Sequence, residues 1–406
     1  MAIELAFLLT GVIVGIGFAG DYLFRKTSIP DVLILIFLGY LIGPLTGIVN
    51  PSQLSSITPI LASLALVIIL FDGGLHLDLF VVLREAPRSL VLAILGTAIS
   101  MIVGMLAAHI LLGWSVLSGL LLGAILGGTS SSIVVPIIMR AKVSEKSSIL
   151  LSLESTFTDA LIVVIGLVLL QILETTSTST GSLILAALSG IVARFSIGIV
   201  FGLVLGFIWL RVLKFIKGQQ YDDILTLSVV LFFFAAVESL GGNGAIFALC
   251  FGLVLGNGKA ISNMVKSLET TEATSIMKKF QSQISFLIRT FFFVYLGLIL
   301  SVGNFFLFGF GLLLTGLLLG ARYLAVRVSI LKGGVLTQAR AVLTIMMPRG
   351  LAAAVVAQIV STSGIPNASS YLDIVITVIM ASVVLSSVGF FILGRKPRSE
   401  PIPSIT

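Results

Sequence analysis

Two carboxylates, Glu154 and Asp159, lie in a stretch of sequence that is otherwise apolar enough to form a membrane-spanning helix. Ser155 and Asp159 are four residues apart and share one helix face, whereas Glu154 is rotated by about 100° from Ser155. Burial disfavours the charged form of a carboxyl group, so a buried Asp159 can hold either a proton or a metal cation at physiological pH. We therefore predict that Asp159 carries ion exchange and that Glu154 forms a structural ion pair with an arginine. The alternative is that both acids are structural.

A third acid and several arginines also fall within apolar stretches. Asp72 lies toward the inner end of the third such stretch, where it either lines a cytoplasmic funnel or caps the helix end. Arg289, Arg322 and Arg349 lie in later stretches. A centrally placed arginine costs at least about 2.5 kcal/mol unless it is paired or hydrated. We therefore expect each arginine to have a partner or to line a water-filled cavity.

Small polar residues interrupt two of the apolar stretches. Residues 127–132 read Gly-Gly-Thr-Ser-Ser-Ser and are followed by Pro136, and residues 347–350 read Met-Pro-Arg-Gly. Unwound backbone is tolerated in a membrane only inside protein or beside a cavity, where its carbonyl groups can coordinate a cation. Carboxylate, hydroxyl and carbonyl oxygens suit alkali cations. The alternative is that these small residues only allow helices to pack closely.

The composition shows which solvent surrounds these stretches. Of the 406 residues, 58% are hydrophobic and 10% are charged, and the mean hydropathy is +1.21. Soluble proteins carry about 25% charged residues, so this composition excludes a soluble domain and indicates a lipid bilayer. The single cysteine, Cys250, excludes a disulfide framework and a thiolate metal site. The net charge of +7 is explained by membrane topology rather than by nucleic acid.

The basic residues orient the spans. Apart from arginines inside the apolar stretches, lysines and arginines occupy every second connection and the C-terminal tail. Because such residues stay on the cytoplasmic side, we predict an N-terminus outside and a C-terminus inside a cell (plasma) membrane. We predict an all-α integral membrane fold of about thirteen spans, near residues 3–22, 30–48, 57–77, 88–112, 115–140, 148–173, 183–216, 221–240, 243–258, 283–303, 304–328, 336–362 and 371–394.

These spans divide into two units. Residues 1–182 form a first six-span repeat, 183–216 a linker helix, 217–394 a second six-span repeat, and 395–406 a short cytoplasmic tail. A single linker span between two six-span units inverts the topology of the second. The interruptions fall in the fifth span of each unit, which favours unwound helices that cross near the midplane and form an ion site.

The sixth span resembles that of the monovalent cation/proton antiporter superfamily, in particular its NhaP-like branch of Na⁺/H⁺ antiporters. That branch carries Glu-Ser-x-x-Asn-Asp on its sixth helix, and residues 154–159 read Glu-Ser-Thr-Phe-Thr-Asp. The resemblance implies that Asp159 and Ser155 contact the ion, and it places Thr158 where the family has Asn.

The fifth span resembles the family less closely. The family usually reads Thr-Asp-Pro, whereas residues 129–131 read Thr-Ser-Ser. The resemblance implies that Thr129 joins Asp159 and Ser155 as a Na⁺ ligand, and it places Ser130 where the family has Asp.

Two arginines extend the resemblance. Arg322 matches the eleventh-helix arginine that pairs with the motif Glu, which is Glu154 here, and Arg349 matches the arginine of an Arg-Gly pair on the unwound twelfth helix. Residues 291–298 resemble the tenth helix, shortly after Arg289. The resemblance also implies a homodimer. In each protomer, core helices would follow the dimerisation helices in the first repeat and move relative to them.

We therefore expect a secondary active transporter that exchanges Na⁺ or Li⁺ for H⁺ by alternating access and serves pH homeostasis. In the family that this chain resembles, branches with a neutral residue at the position of Thr158 are generally electroneutral. The resemblance therefore implies electroneutral exchange here. A K⁺/H⁺ antiporter of the same fold is the alternative, favoured by the missing acid at position 130, and an organic-solute symporter or a channel is another. We expect no cofactor, enzymatic activity or nucleic-acid partner, since His76 and His109 show no metal-ligand spacing.

Overall fold

A computed structural model describes residues 3–27, 30–49, 58–76, 79–140, 145–176, 183–216, 221–259, 261, 275–300, 304–330 and 339–393. Within these ranges the chain is helical and has no strand, which confirms the all-α prediction. The predicted tail at 395–406 lies outside them. The helices are α1 Ile3–Thr27, α2 Asp31–Tyr40 with a π-helical turn Leu41–Leu45, α3 Thr58–His76, α4 Leu79–Leu112, α5 Val116–Ile125, α6 Ser131–Arg140, α7 Glu145–Thr176, α8 Leu183–Ile216, α9 Asp222–Ser239, α10 Gly244–Gly256, α11 Ser275–Ile299, α12 Phe305–Ser329, α13 Arg340–Ile345, α14 Leu351–Ser361 and α15 Ala368–Leu393.

Helix length decides which of these elements can cross a bilayer alone. Six described helices, α4, α7, α8, α11, α12 and α15, contain apolar stretches of 24 to 28 residues, more than the roughly 20 that a membrane core requires. Shorter apolar stretches lie in α1, α2 with its π-helical turn, α3, α5, α10 and α14, and α9 has 18 residues. Joining α5 to α6 and α13 to α14 turns the fifteen helices in the described ranges into thirteen crossing units, in agreement with the predicted number.

Both predicted interruptions are breaks in the helices. Residues 126–130 separate α5 from α6, and residues 346–350 separate α13 from α14. The breaks touch, because the Ser130 backbone N–H donates to the Pro348 carbonyl at 2.8 Å. Gly350 packs against the Ser130 side chain, where a Cβ would not fit. The small residues therefore allow two unwound segments to cross in contact, in addition to any role in close helix packing.

The helices pack as two bundles that each take spans from both halves of the sequence. The first bundle contains α1–α3 and α8–α11, and the second contains α4–α7 and α12–α15. Backbones approach closely within each bundle, at Gly39 and Gly297 in the first and at Gly104 and Gly123 in the second, where a Cβ would collide with backbone atoms. The two bundles meet where α3 and α11 face α14, next to the second break, and where α7 contacts α8.

Candidate ion-binding site

Asp159 lies on α7 beside the first break. Its Oδ2 accepts hydrogen bonds from the Ser131 backbone N–H at 3.1 Å and from the Ser131 hydroxyl at 2.6 Å. Ser131 is the first residue of α6, and first-turn N–H groups have no acceptor within their own helix and favour a negative charge. The break thus aims the N-terminus of α6 at the Asp159 carboxylate.

A cavity of about 420 Å³ between the two bundles reaches Asp159. The second bundle contributes Ser130, Ser131 and Asp159 to its wall, and the first contributes Asp72 and His76 together with part of α11. Water occupies about 30 Å³ per molecule in the liquid, so this volume accommodates a cation with several waters. The Asp159 carboxylate therefore borders a space large enough for a cation and water.

Asp72 faces the same cavity from the last turns of α3. The His76 ring nitrogen Nδ1 lies 2.9 Å from the Asp72 carbonyl oxygen and 3.4 Å from its Oδ1. The side chains are 24% exposed for Asp72 and 48% exposed for His76, and both line the cavity. Asp72 thus lines the cavity near the end of α3, and its role in a cytoplasmic funnel stays a prediction.

Glu154, also on α7, makes a different kind of contact. Arg322 of α12 donates from Nη1 to Glu154 Oε1 at 2.8 Å and from Nη2 to Oε2 at 3.0 Å. Arg322 Nε also donates to the Leu343 carbonyl of α13 at 3.0 Å. Both charged side chains are buried. The pair predicted from the sequence is thus a two-bond ion pair that links three helices of the second bundle.

The hydroxyl groups of the two sequence motifs bond within the second bundle. The Thr129 hydroxyl donates to Glu154 Oε2 at 3.1 Å, and the Thr129 backbone N–H donates to the Thr158 hydroxyl at 3.0 Å. The Ser155 hydroxyl donates to a carbonyl one turn earlier in α7. The structure therefore brings Thr129 and Thr158 together at the break, and each of the three hydroxyls donates elsewhere than to Asp159.

Arg349 ties the second break to the first. Its Nη1 donates to the Gly128 carbonyl, and its backbone N–H donates to the Ser382 hydroxyl of α15 at 2.9 Å. The Ser386 hydroxyl donates to the Ile345 carbonyl at 2.9 Å. Backbone groups freed by a helix break must find partners inside the membrane, and these bonds supply them. Arg349 therefore has the partner that its position in a span requires.

Two residues that contact side chains of the cavity wall were not predicted as site residues from the sequence. Ser131 is the direct partner of Asp159, although its motif position gave no sign of this. Asp31, the first residue of α2, accepts a hydrogen bond from Arg289 Nη2 at 3.2 Å. The available signal for Asp31 was an acid directly before a long apolar run, a position equally typical of a solvated helix start.

Crossed, broken helices beside a cavity-lining aspartate, on the thirteen crossing units formed by the described ranges, define a multi-pass membrane protein of the Na⁺/H⁺ antiporter fold. The fold matches the solved structure of the sodium proton antiporter MjNhaP1 from Methanocaldococcus jannaschii with a TM-score of 0.82. That match covers 98% of this chain and 99% of the other at 22% sequence identity, so the likeness concerns the fold alone.

The chain belongs to the family described as sodium/hydrogen exchanger, transmembrane, whose family model matches residues 8–396. It is 27% identical over 382 residues to the K(+)/H(+) antiporter NhaP2 of Shewanella baltica. That alignment covers 91% of this chain and 63% of the relative. It is also 26% identical over 290 residues to the probable Na(+)/H(+) antiporter 2 of Methanocaldococcus jannaschii. This second alignment covers 68% of this chain and 65% of the relative. The chain thus spans less than two thirds of the length of these relatives.

Proposed function

We propose that this chain is a secondary active transporter that exchanges Na⁺ or Li⁺ for H⁺ by alternating access. The placement of Asp159 carries the proposal, because its carboxylate lies at a helix break and lines the cavity between the bundles. A single carboxylate there is neutralised by a proton or by an alkali cation in turn. Movement of the second bundle past the first would expose the same carboxylate to the opposite side of the membrane.

We infer that Asp159 and Ser131 are the primary cation ligands, with Ser130 beside them in the cavity wall. Ser155 and Thr129, the other Na⁺ ligands implied by the resemblance, donate to protein oxygens, but each hydroxyl keeps lone pairs that a cation could use. They and Thr158 would set the shape of the break. Asp72 would attract cations into the cavity without holding them at the break.

One-for-one, electroneutral exchange is part of the proposal. Glu154 and Arg322 neutralise each other, and Thr158 carries no charge, which leaves Asp159 as the acid of the motif that can change its state. One carboxylate moves either one proton or one monovalent cation per crossing, so no net charge crosses in a full cycle.

Replacing Ser131 by Ala is expected to move the pH dependence of exchange to higher pH. The change removes the 2.6 Å hydroxyl bond to Asp159, and a hydrogen bond to a charged group contributes about 1.5–3 kcal/mol. Without it the charged carboxylate is less stable relative to the protonated acid, so the proton is retained at higher pH. About 1.4 kcal/mol corresponds to one pH unit. The midpoint of cation-driven proton flux in reconstituted vesicles measures this shift.

Two companion variants make the Ser131 result specific. Ser131→Thr keeps the hydroxyl and should keep the wild-type midpoint. Ser282→Ala removes a hydroxyl from the opposite wall of the same cavity and should leave the midpoint within about 0.3 unit, as expected for a partly solvated group. Equal shifts in Ser131→Ala and Ser282→Ala would contradict a direct role of Ser131.

K⁺/H⁺ exchange is the second candidate. The NhaP2 relatives of this chain carry the name K(+)/H(+) antiporter, and Ser130 leaves the first break without a second acid. Fewer fixed charges favour a larger and more weakly hydrated cation. Both candidates share Asp159 and differ only in the ion.

Purified protein in vesicles is expected to dissipate an imposed pH gradient when the preferred alkali cation is added. Additions of Na⁺, Li⁺ and K⁺ at matched concentration rank the ions, and a clamped membrane potential should not change the rate if exchange is electroneutral. Flux that does not saturate would indicate a channel, and flux that requires an organic solute would indicate a symporter. Either outcome contradicts cation/proton exchange.

We further propose a cell-membrane homodimer with its N-terminus outside and its C-terminus inside. The distribution of basic residues supports this orientation, and it places Asp72 and His76 at the cytoplasmic end of α3, so the cavity would open inward. Labelling of single cysteines at the ends of α3 in a Cys250→Ser background tests the orientation. Cross-linking in native membranes tests the dimer.

A further inference from the structure

Asp31 and Arg289 form a second ion pair inside the membrane domain. Arg289 Nη2 lies 3.2 Å from Asp31 Oδ2, with the side chains 19% and 4% exposed respectively. Asp31 begins α2 and Arg289 lies in α11, and these two helices pack so closely that Gly39 touches Gly297. The guanidinium is therefore fixed to the first bundle and would not travel with the second.

Arg289 also lines the cavity that reaches Asp159. Its Nε is buried and has no hydrogen-bond partner among the described residues, so Asp31 uses only part of the guanidinium. The Phe286 ring, 5.9 Å from the guanidinium carbon, supports one side of the group. The Arg289 guanidinium, with an N–H group that Asp31 does not use, thus lies in the cavity wall opposite Asp159, the proposed ion-binding acid.

The other charged groups of the cavity do not duplicate this role. On the first bundle, Asp72 is an anion and would repel a charged Asp159, while His76 contacts Asp72 and is half-exposed. On the second bundle, Asp159 is the ionisable group in the wall. Among the described lining residues, Arg289 is the one side chain with a permanent positive charge.

We propose that Arg289 holds the second bundle in place whenever Asp159 is charged and empty, and so prevents the unloaded transporter from crossing. This inference rests on the proposed exchange function. The attraction exists only while Asp159 carries its negative charge. Binding of a proton or of a cation neutralises the carboxylate, removes the attraction and permits movement.

Coupling of cation movement to proton movement requires that the empty, charged transporter be held in place. If the empty transporter returned with its negative charge, each cycle would carry one cation across alone, and exchange would become a potential-driven leak. A fixed cation opposite the carboxylate stabilises the empty state before movement, because opposite charges attract strongly where water is scarce. Asp31 is a positioning residue in this scheme, since it orients Arg289 and does not touch the ion.

Replacing Arg289 by Gln is expected to produce this leak. Vesicles are loaded with radioactive Na⁺, or Rb⁺ if K⁺ is the preferred ion, at equal alkaline pH on both sides. N-methylglucamine is the only other cation, and an outward thiocyanate gradient makes the interior positive. Potential-driven efflux from Arg289→Gln should exceed that of the wild type about tenfold, the factor that corresponds to about 1.4 kcal/mol of lost attraction. Wild-type efflux should not respond to the potential.

Three further variants separate this role from a structural one. Arg289→Lys keeps the charge and should keep the leak low. Asp31→Asn keeps the positive charge of Arg289 but removes its ion-pair partner, and this variant should leak less than Arg289→Gln. The double variant Asp31→Asn/Arg289→Gln leaves no unpaired buried charge, so it should recover thermal stability yet still leak.

The outcomes distinguish the two levels of the proposal. A wild type without cation-driven proton flux would refute the proposed function itself. An exchanging wild type whose Arg289→Gln variant remains tightly coupled would overturn the role of Arg289 alone. A double variant that regains both stability and coupling would show that the leak of the single variant came from the unpaired Asp31.

Discussion

Replacing Asp159 by Asn is expected to reduce cation-driven proton flux to that of protein-free vesicles. Asn has nearly the same shape, and its carbonyl oxygen can still accept the two Ser131 bonds, so the break should keep its geometry. An amide, however, is neutral at every pH. It neither releases a proton nor neutralises a cation, and an uncompensated ion in a buried site is unstable. Proton flux in reconstituted vesicles measures the loss.

Asp72→Asn is the matched control, because it makes the same chemical change in the same cavity at a partly exposed position. A partly exposed charge contributes about 1 kcal/mol to the attraction of a cation, which corresponds to about a fivefold higher half-saturating concentration. Maximal flux should remain. Undiminished exchange by a correctly folded Asp159→Asn protein would contradict the shared-carboxylate mechanism.

The broad fold was predictable because the physical signals behind it are local in the sequence. Apolar length identifies spans, and the small polar residues of 127–132 and 347–350 identify the two breaks that the structure shows. Helix ends were less predictable. α4 begins at Leu79 rather than near 88, and α11 begins at Ser275 rather than near 283, because helices continue beyond the apolar core that hydropathy detects.

The site was predictable only in part, because side-chain partners depend on geometry between distant segments. Helical spacing separated Asp159 from Glu154, and the Glu154–Arg322 pair followed from the resemblance. The bond of Asp159 to Ser131 depends on where α6 restarts after the break, and the composition of the break does not give that register. Asp31 and Arg289 are 258 residues apart, and each had several possible partners.

A large loss of stability is expected when Arg322 is replaced by Gln. Glu154 would then be an unpaired buried carboxylate, and removal of one partner of a buried pair costs about 3–5 kcal/mol. The Leu343 carbonyl would also lose its donor, which weakens the end of α13 before the second break. A lower unfolding temperature in detergent measures the effect. Arg327→Gln, an exposed arginine on the same helix, should change stability by no more than about 0.5 kcal/mol.

The double variant Glu154→Gln/Arg322→Gln tests whether this pair is structural. Removing both charges leaves no unpaired ion, so the double variant should be clearly more stable than Arg322→Gln, and a double-mutant cycle gives the coupling energy. If Glu154 carries no transported charge, exchange per folded molecule should persist. A double variant as unstable as Arg322→Gln would contradict the pairing. A stable double variant without exchange would show that Glu154 takes part in transport together with Asp159.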